Sequence, residues 1–232
     1  TIAFNIPGSG VKKIAPLTPL PNISGSGTNS ITIDGTTQPG WAVGNLLIEL
    51  SGENLSGTSA DGLTLSPLTA TTQSFVRGLI INRFDHAGIL LQDSKNITIE
   101  GCYIGTDATG TLDFGNRNGI LKGLIATIGT QDITIGGNTA AARNLISGNG
   151  TAINIFGGDS YFIKGNYIGT DESGNAPLQN VVGIVFTAIT SVIGGTTTAE
   201  RNVISGNRFD GIVLESHDNT IQNNYIGLGA DG

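Results

Sequence analysis

The chain carries few of the residues from which proteins build cross-links, metal centres or charged surfaces. Of its 232 residues one is a cysteine, Cys102, and none is a methionine. A single thiol excludes an internal disulfide and any zinc site made of several cysteines. Cys102 reads as a packing residue rather than a reactive thiol, since neither a helix terminus nor a fixed histidine accompanies it. The missing methionine points to a processed or partial chain. Charged residues make up 12% of the sequence, against the ~25% usual for globular domains. Its surface must therefore be built largely from Thr, Ser, Asn and Gly. The 11 basic residues are scattered apart from Lys12-Lys13, and the net charge is −7. That balance disfavours a nucleic-acid partner, which wants clustered Lys and Arg, and fits an acidic extracellular protein. No apolar run approaches the ~18 residues of a membrane span. No segment sustains a helical apolar period over three turns, because Gly and Asn interrupt each candidate.

What the chain does have is repetition. IGGNTAAARNLISGN (135–149) returns as IGGTTTAERNVISGN (193–207), 58 residues on. GCYIGTDATG (101–110) returns as GNYIGTDESG (165–174) and NNYIGLGADG (223–232). A regular interval of this kind marks one structural unit stacked on itself. A finer marker, a small residue followed by Ile or Leu, recurs at Gly62, Gly88, Gly119, Ala152, Gly183 and Gly211. Behind these markers come two more apolar β-branched segments. One is centred on Ile99, Ile135, Ile163, Ile193 and Ile221, and the other on the pairs Tyr103-Ile104, Leu145-Ile146, Tyr167-Ile168, Val203-Ile204 and Tyr225-Ile226. The turn between Ile120 and Ile135 is longer than its counterparts. Three short strands per repeat, with tight turns and no crossover helices, cannot make a βαβ sheet. They can make a solenoid, each rung pairing in parallel with the next.

The spacing predicts an all-β chain of seven or eight three-stranded rungs, about 4.8 Å apart, forming a rod roughly 35–40 Å long. Residues 1–45 read as an N-terminal cap segment continuous with the solenoid, and 46–232 as the solenoid itself. Alternation predicts that Ile212, Leu214 and Ile221 face the core while Val213 and Glu215 face out. Asn149, Asn166, Asn207 and Asn224 suit turns whose amides bond the neighbouring rung.

The pattern RN-[LV]-ISGN followed by GNYIGTD-x-x-G resembles the right-handed parallel β-helix repeats of large secreted or surface-attached bacterial proteins. FNIPGSG (4–10) and ITIDGTTQPG (31–40) resemble the segment that precedes them. The resemblance implies a right-handed, single-stranded parallel β-helix, an extracellular or cell-surface location, and a structural or adhesive role. The architecture is also similar to that of pectin and alginate lyases, of adhesins and of tailspikes, so fold alone does not select an activity.

Several residues are candidates for chemistry. Asp85 and His86, in NRFDHAG (82–88), are the nearest approach to a general base; Asp85 recurs as Asp210 whereas His86 does not. The competing reading is a solvated turn. Asp107 and Thr109, with Asp171 and Ser173, place oxygens at alternate positions as a calcium loop does, but without its final Glu. Turns braced by aspartate side chains are the competing reading, and no other cofactor is expected. Arg143 and Arg201 occupy one repeat position and are expected to lie across the rod, bonding loop carbonyls. Tyr103, Tyr167 and Tyr225 recur every two rungs and are candidates, with Trp41, for stacking sugar rings; packing is the alternative, with Trp41 capping the first rung. Gly232 falls inside a repeat, which predicts a segment of a longer rod. End-to-end self-association and a polysaccharide are the partners to consider. The expected function is a structural or adhesive rod without catalysis, with a carbohydrate-binding or polysaccharide-degrading β-helix as the alternative.

Overall fold

Strands this short, all but one of two to six residues, cannot hold a sheet with their sequence neighbours, so each finds its partners one coil away. The computed structural model describes residues 1–123 and 131–232. Three parallel sheets run its length, two of eight strands and one of seven. Rung 1 comprises Ile2–Ala3, Lys12–Ile14 and Ile23–Gly27. Rung 2 is Thr32–Asp34, Ile48–Ser51 and Asp61–Ala70; rung 3 is Ser74–Arg77, Leu79–Asn82 and Ala87–Leu91. Rung 4 is Lys95–Glu100, Tyr103–Ile104 and Asn118–Lys122; rung 5 is Gln131–Gly136, Leu145–Ile146 and Thr151–Ile155. Rung 6 is Tyr161–Lys164, Tyr167–Ile168 and Val182–Phe186; rung 7 is Val192–Gly194, Val203–Ile204 and Ile212–Leu214. Thr220–Gln222 and Tyr225–Ile226 begin an eighth. The first strands form sheet I, the second sheet II and the third sheet III. The architecture is a parallel β-helix. Residues 1–45 supply strands to all three sheets, so coiling starts at Ile2. The long turn expected between Ile120 and Ile135 falls mostly on 124–130, outside the described residues.

Like residues sit over like. In sheet I the inward ladder is Ile33, Val76, Ile99, Ile135, Ile163, Ile193 and Ile221. In sheet II it is Ile14, Leu50, Ile81, Ile104, Ile146, Ile168, Ile204 and Ile226. In sheet III it is Leu63, Ile89, Ile120, Ile153, Ile184 and Ile212. Apart from Ile14, Ile221 and Ile226 in the end rungs, which are exposed, these side chains belong to one continuous core, each burial worth about 1.5–3 kcal/mol. The small residue before each sheet III isoleucine has a steric cause. A Cβ on Gly119 would stand 2.6 Å from the Ala152 carbonyl oxygen of the next rung.

The corners are held by amide ladders. Asn116, Asn149, Asn180 and Asn207 run along the II–III corner, each Oδ1 accepting from the Nδ2 of the previous member at 2.9–3.1 Å. Asn144, Asn166, Asn202 and Asn224 do the same along the I–II corner at 2.9–3.0 Å. The other N–H of each amide satisfies a strand carbonyl, as in Asn149 to Ile104 and Asn166 to Ile135, both 2.9 Å. Cys102 occupies the rung 4 position of the second ladder. Its backbone N–H donates to Asn144 Oδ1, while its thiol faces the Glu100 and Val76 carbonyls where an asparagine amide would stand.

Two side chains expected on the inward registers are nevertheless exposed. Leu214 is 39% exposed: it lies in the terminal strand of sheet III, so no further strand covers it. Ile221 is likewise 40% exposed, in the terminal strand of sheet I. Lys122 does the reverse. It stacks between Leu91 and Ile155 and is 3% exposed. Burial lowers its pKa against the opposing charge of Asp93. Its Nζ donates to the Phe156 carbonyl at 2.6 Å.

Candidate functional site

The outer face of sheet II departs from the polar exterior of an ordinary rung. Its outward column reads Lys13, Glu49, Ile80, Tyr103, Leu145, Tyr167, Val203 and Tyr225. Ile80, Tyr103 and Leu145 are buried there with Leu46 in a second apolar cluster outside the barrel. Loops from both corners make the walls. On one side stand the I–II loops, on the other the GTD loops that link sheets II and III. Tyr103, Tyr167 and Tyr225 are thus the floor of a trough.

The GTD loops do not lie separately about 10 Å apart, as two-rung stacking predicts; they touch. Glu172 N–H donates to the Gly110 carbonyl and Ala230 N–H to that of Gly174, at 3.1 and 3.0 Å. Their aspartates serve the loops themselves. Asp107 Oδ1 accepts from the Thr111 and Leu112 amides at 3.1 and 3.0 Å, and Oδ2 from the Thr109 hydroxyl at 2.7 Å. Asp171 Oδ1 accepts from the Ser173 hydroxyl at 2.6 Å and from the Ala176 amide at 3.2 Å. These bonds favour the braced turn over a calcium loop. Among the described residues no group of three or more His, Cys, Asp or Glu side chains is arranged to hold a metal.

The I–II loops set the trough's shape. Rungs 5 and 7 carry long ones, 137–144 and 195–202, each with a short 3₁₀ turn, while rungs 4, 6 and 8 turn in two residues. Continued downward, this alternation would give rung 3 a long loop, but rung 3 turns on Gly78 alone. The next long loop, 35–47, leaves rung 2. Between it and loop 137–144 the wall is open over three rung spacings, about 14 Å, against about 10 Å between rungs 5 and 7. Trp41 stands in this opening. It does not cap the first rung: it lines the same cavity as Leu46, Tyr103, Arg143, Tyr167 and Glu172, about 190 Å³ in volume. A second hollow of about 240 Å³, lined by Thr36, Arg77, Glu100 and Thr139, lies against Trp41 as well. The loop is fixed in place. Buried Gln38 exchanges hydrogen bonds with the Ile6 backbone, both 2.9 Å, and Asn45 Nδ2 donates to the Gly40 carbonyl at 3.0 Å.

The two repeat arginines behave differently. Both lie on tyrosine faces, Arg143 4.2 Å from the Tyr167 ring centre and Arg201 4.1 Å from that of Tyr225. Arg201 also donates to the Asn223 carbonyl and side chain at 2.7–3.3 Å, in keeping with the expected carbonyl bonding. For Arg143 the equivalent position in the sequence is Gly165, and its buried Nε has no hydrogen-bond partner among the described residues. Trp41 Nε1 and Arg77 Nε share that condition, although Arg77 pairs through Nη2 with Asp34 at 2.6 Å. Among the described residues no arginine stacks on Tyr103, because rung 3 turns on Gly78 without the loop that would carry one. Burial raises its phenol pKa, and the charges of Glu172 and Asp107 add to the rise.

Asp85 and His86 separate. Asp85 Oδ2 accepts from the Gly57 amide and faces an open hollow with Glu53, Arg83 and Asp113. There the charges are already engaged: Arg83 lies 3.4 and 3.6 Å from Glu49 and Glu53, and Asp113 accepts from the Gly115 amide at 2.9 Å. His86 turns to the face of sheet III, where Nδ1 lies 2.8 Å from Asp61 Oδ1. His86 borders a hollow of about 320 Å³ with Gln92, Arg117 and Asn118. Sequence reasoning missed Asp61 because it belongs to the rung below, 25 residues back. It also missed Lys122, although parity with Ile120 in GILKG (119–123) points its side chain inward.

Comparison with protein-family models, with curated proteins and with solved structures gives no match for this chain. Among the described residues no helix is long and apolar enough to cross a membrane.

Proposed function

We propose that the chain is a stiff, non-catalytic segment of an extracellular or cell-surface structural protein, a rod for display, adhesion or fibre building. The observation that carries this reading is the even distribution of its buried polar groups. Two asparagine ladders serve successive rungs from Asn116 to Asn207 and from Asn144 to Asn224. Fully satisfied networks of this kind rigidify a fold. Catalytic sites do the opposite, concentrating strained or pKa-shifted groups at one point. The low charge content and acidic balance suit a protein exposed to solvent outside cells.

The competing reading, polysaccharide cleavage, rests on Asp61–His86. A panel of neutral and uronate polysaccharides, assayed for new reducing ends and for unsaturated products, separates the two. The rod reading expects no release above background and resistance of the folded chain to thermolysin. Turnover by the purified chain that disappears in His86→Ala would overturn it.

A further inference from the structure

The trough beside Trp41 has the composition of a binding site, and it arises where the repeat breaks. We infer that it binds a short stretch of saccharide chain, with one sugar ring against Tyr103 and Trp41 and the next on the far side of Trp41. Four observations converge on that class. The two hollows that share Trp41 measure about 190 and 240 Å³, together within the range of small-molecule sites. Trp41 lines both hollows, and Tyr103 and Tyr167 line the first; aromatic rings have negative faces that suit the weakly positive C–H faces of sugars. Three residues that line these hollows each carry a buried N–H with no acceptor among the described residues: Trp41 Nε1, Arg143 Nε and Arg77 Nε. Leaving such donors dry costs about 1–3 kcal/mol each, and a ligand rich in hydroxyl or carboxylate oxygens removes that cost. Glu172 and Glu100 supply acceptors for hydroxyl protons. A lipid tail finds too many polar groups here, and a phosphate backbone meets two carboxylates.

The repeat itself provides the contrast. At rung 7 the equivalent arginine, Arg201, is engaged by Asn223, whereas at rung 5 the equivalent position is Gly165, which has no side chain to engage Arg143. The inference is independent of the rod's role, since a purely structural rod and a lyase could each carry such a trough.

Trp41 is the sole tryptophan, so its fluorescence reports on this site alone. The experiment titrates the whole chain with cellohexaose, a neutral chain, and with hexagalacturonate, an acidic one, and repeats both by calorimetry. The expected result is a saturable change in Trp41 emission with a Kd near or below about 1 mM. Preference for the uronate would place its carboxylate at Arg143; preference for the neutral chain would place hydroxyls there. Arg143→Ala should weaken binding about tenfold, and Arg201→Ala should leave it unchanged. Trp41→Phe, which keeps an aromatic face but loses the N–H, should weaken it less than Trp41→Ala, with circular dichroism confirming that each variant folds. Two results would overturn the inference: no signal with either probe, or binding that survives Arg143→Ala and Trp41→Ala in folded protein.

Discussion

Replacing Asn149 by alanine tests whether the asparagine ladders stabilise the solenoid or merely occupy its corners. Asn149 is 1% exposed. Its Oδ1 accepts from both the backbone N–H and the Nδ2 of Asn116, at 3.1 and 3.0 Å. Its Nδ2 donates to Ile104 and Ser147 carbonyls and to Asn180 Oδ1, at 2.9, 3.0 and 3.1 Å. The carbonyls keep other options, since Ile104 O also accepts from the Ser147 amide at 3.1 Å. The two donors of Asn116 do not, and each orphaned donor costs about 1–3 kcal/mol. Asn149→Ala should therefore destabilise the chain by about 3–4 kcal/mol, whereas Asn138→Ala, in an exposed loop, should stay within about 0.5 kcal/mol. Urea unfolding followed by far-ultraviolet circular dichroism measures both, read as a midpoint shift at constant slope. A double-mutant cycle adds the sharper test. Asn116→Ala on the Asn149→Ala background removes the orphaned amide, so the pair should cost at least about 1 kcal/mol less than the sum of the singles. Strict additivity, or a loss below about 1 kcal/mol for Asn149→Ala, would refute the ladder as a source of stability.

Two further predictions rest on single groups. Burial, with a lesser contribution from the Glu100 charge, pushes the Cys102 thiol up to about 12 against the nearby Leu79 and Gly78 amides; native protein should resist a thiol reagent at pH 8 and react fully in urea, and fast native labelling would refute the packing around rung 4. At Asp34, burial raises the carboxyl pKa, but hydrogen bonds from Arg77 and Thr36 and the Arg77 charge outweigh it and leave the group lowered. Asp107 is lowered in the same way, against burial, by the Thr109 hydroxyl and the Leu112, Thr109 and Thr111 amides. A carboxylate with a depressed folded pKa stabilises above its unfolded value, about 3.9, and that contribution is lost as pH falls through the folded value. Stability should hold from neutral pH down to about 5 and fall below about 4, with the fall reduced in Asp34→Asn; an acid transition unaffected by that variant would remove the assignment.

The architecture was legible because stacking repeats its residues. Ile at one rung sits over Ile at the next, so Ile104, Ile146 and Ile168 are near neighbours in space for the same reason that they recur in the sequence. The small residue of the Gly-Ile marker was visible as a pattern, but its cause, the carbonyl of the next rung, was not. The site was less legible. His86 pairs across rungs with Asp61, and nothing in Asp85-His86 as a dipeptide tells that the two side chains diverge. Alternation did announce Lys122 as inward, yet a lysine between Leu91 and Ile155 contradicts the habit of reading lysine as surface. Leu214 shows the converse: parity gives the facing of a residue, but only the presence of a neighbouring rung gives its burial.

The same logic says where function should sit in a molecule of this kind. A perfect repeat makes each rung the chemical copy of the one two below it, so every donor finds the acceptor that its copies find. Arg201 and Asn223 illustrate the closed arrangement. Unpaired groups are expected where the copies differ, and two of those differences coincide in space: rung 3 lacks the long I–II loop, and Gly165 stands where Asn223 stands later. The first leaves Tyr103 to pack with Leu46 instead of an arginine and admits Trp41; the second leaves Arg143 without an asparagine side chain to engage. Neither change disturbs the inward ladders, which remain aliphatic through rungs 3 to 6. Selection for stability alone gives no reason to leave Trp41 Nε1 and Arg143 Nε dry while all eight ladder asparagines are bonded. Restoring the repeat makes this testable. Grafting residues 195–202 in place of Gly78, so that rung 3 regains an arginine-bearing loop, should close the trough and abolish saccharide-induced quenching of Trp41, while circular dichroism keeps its β signature. Undiminished quenching in that graft would place the ligand elsewhere on the rod.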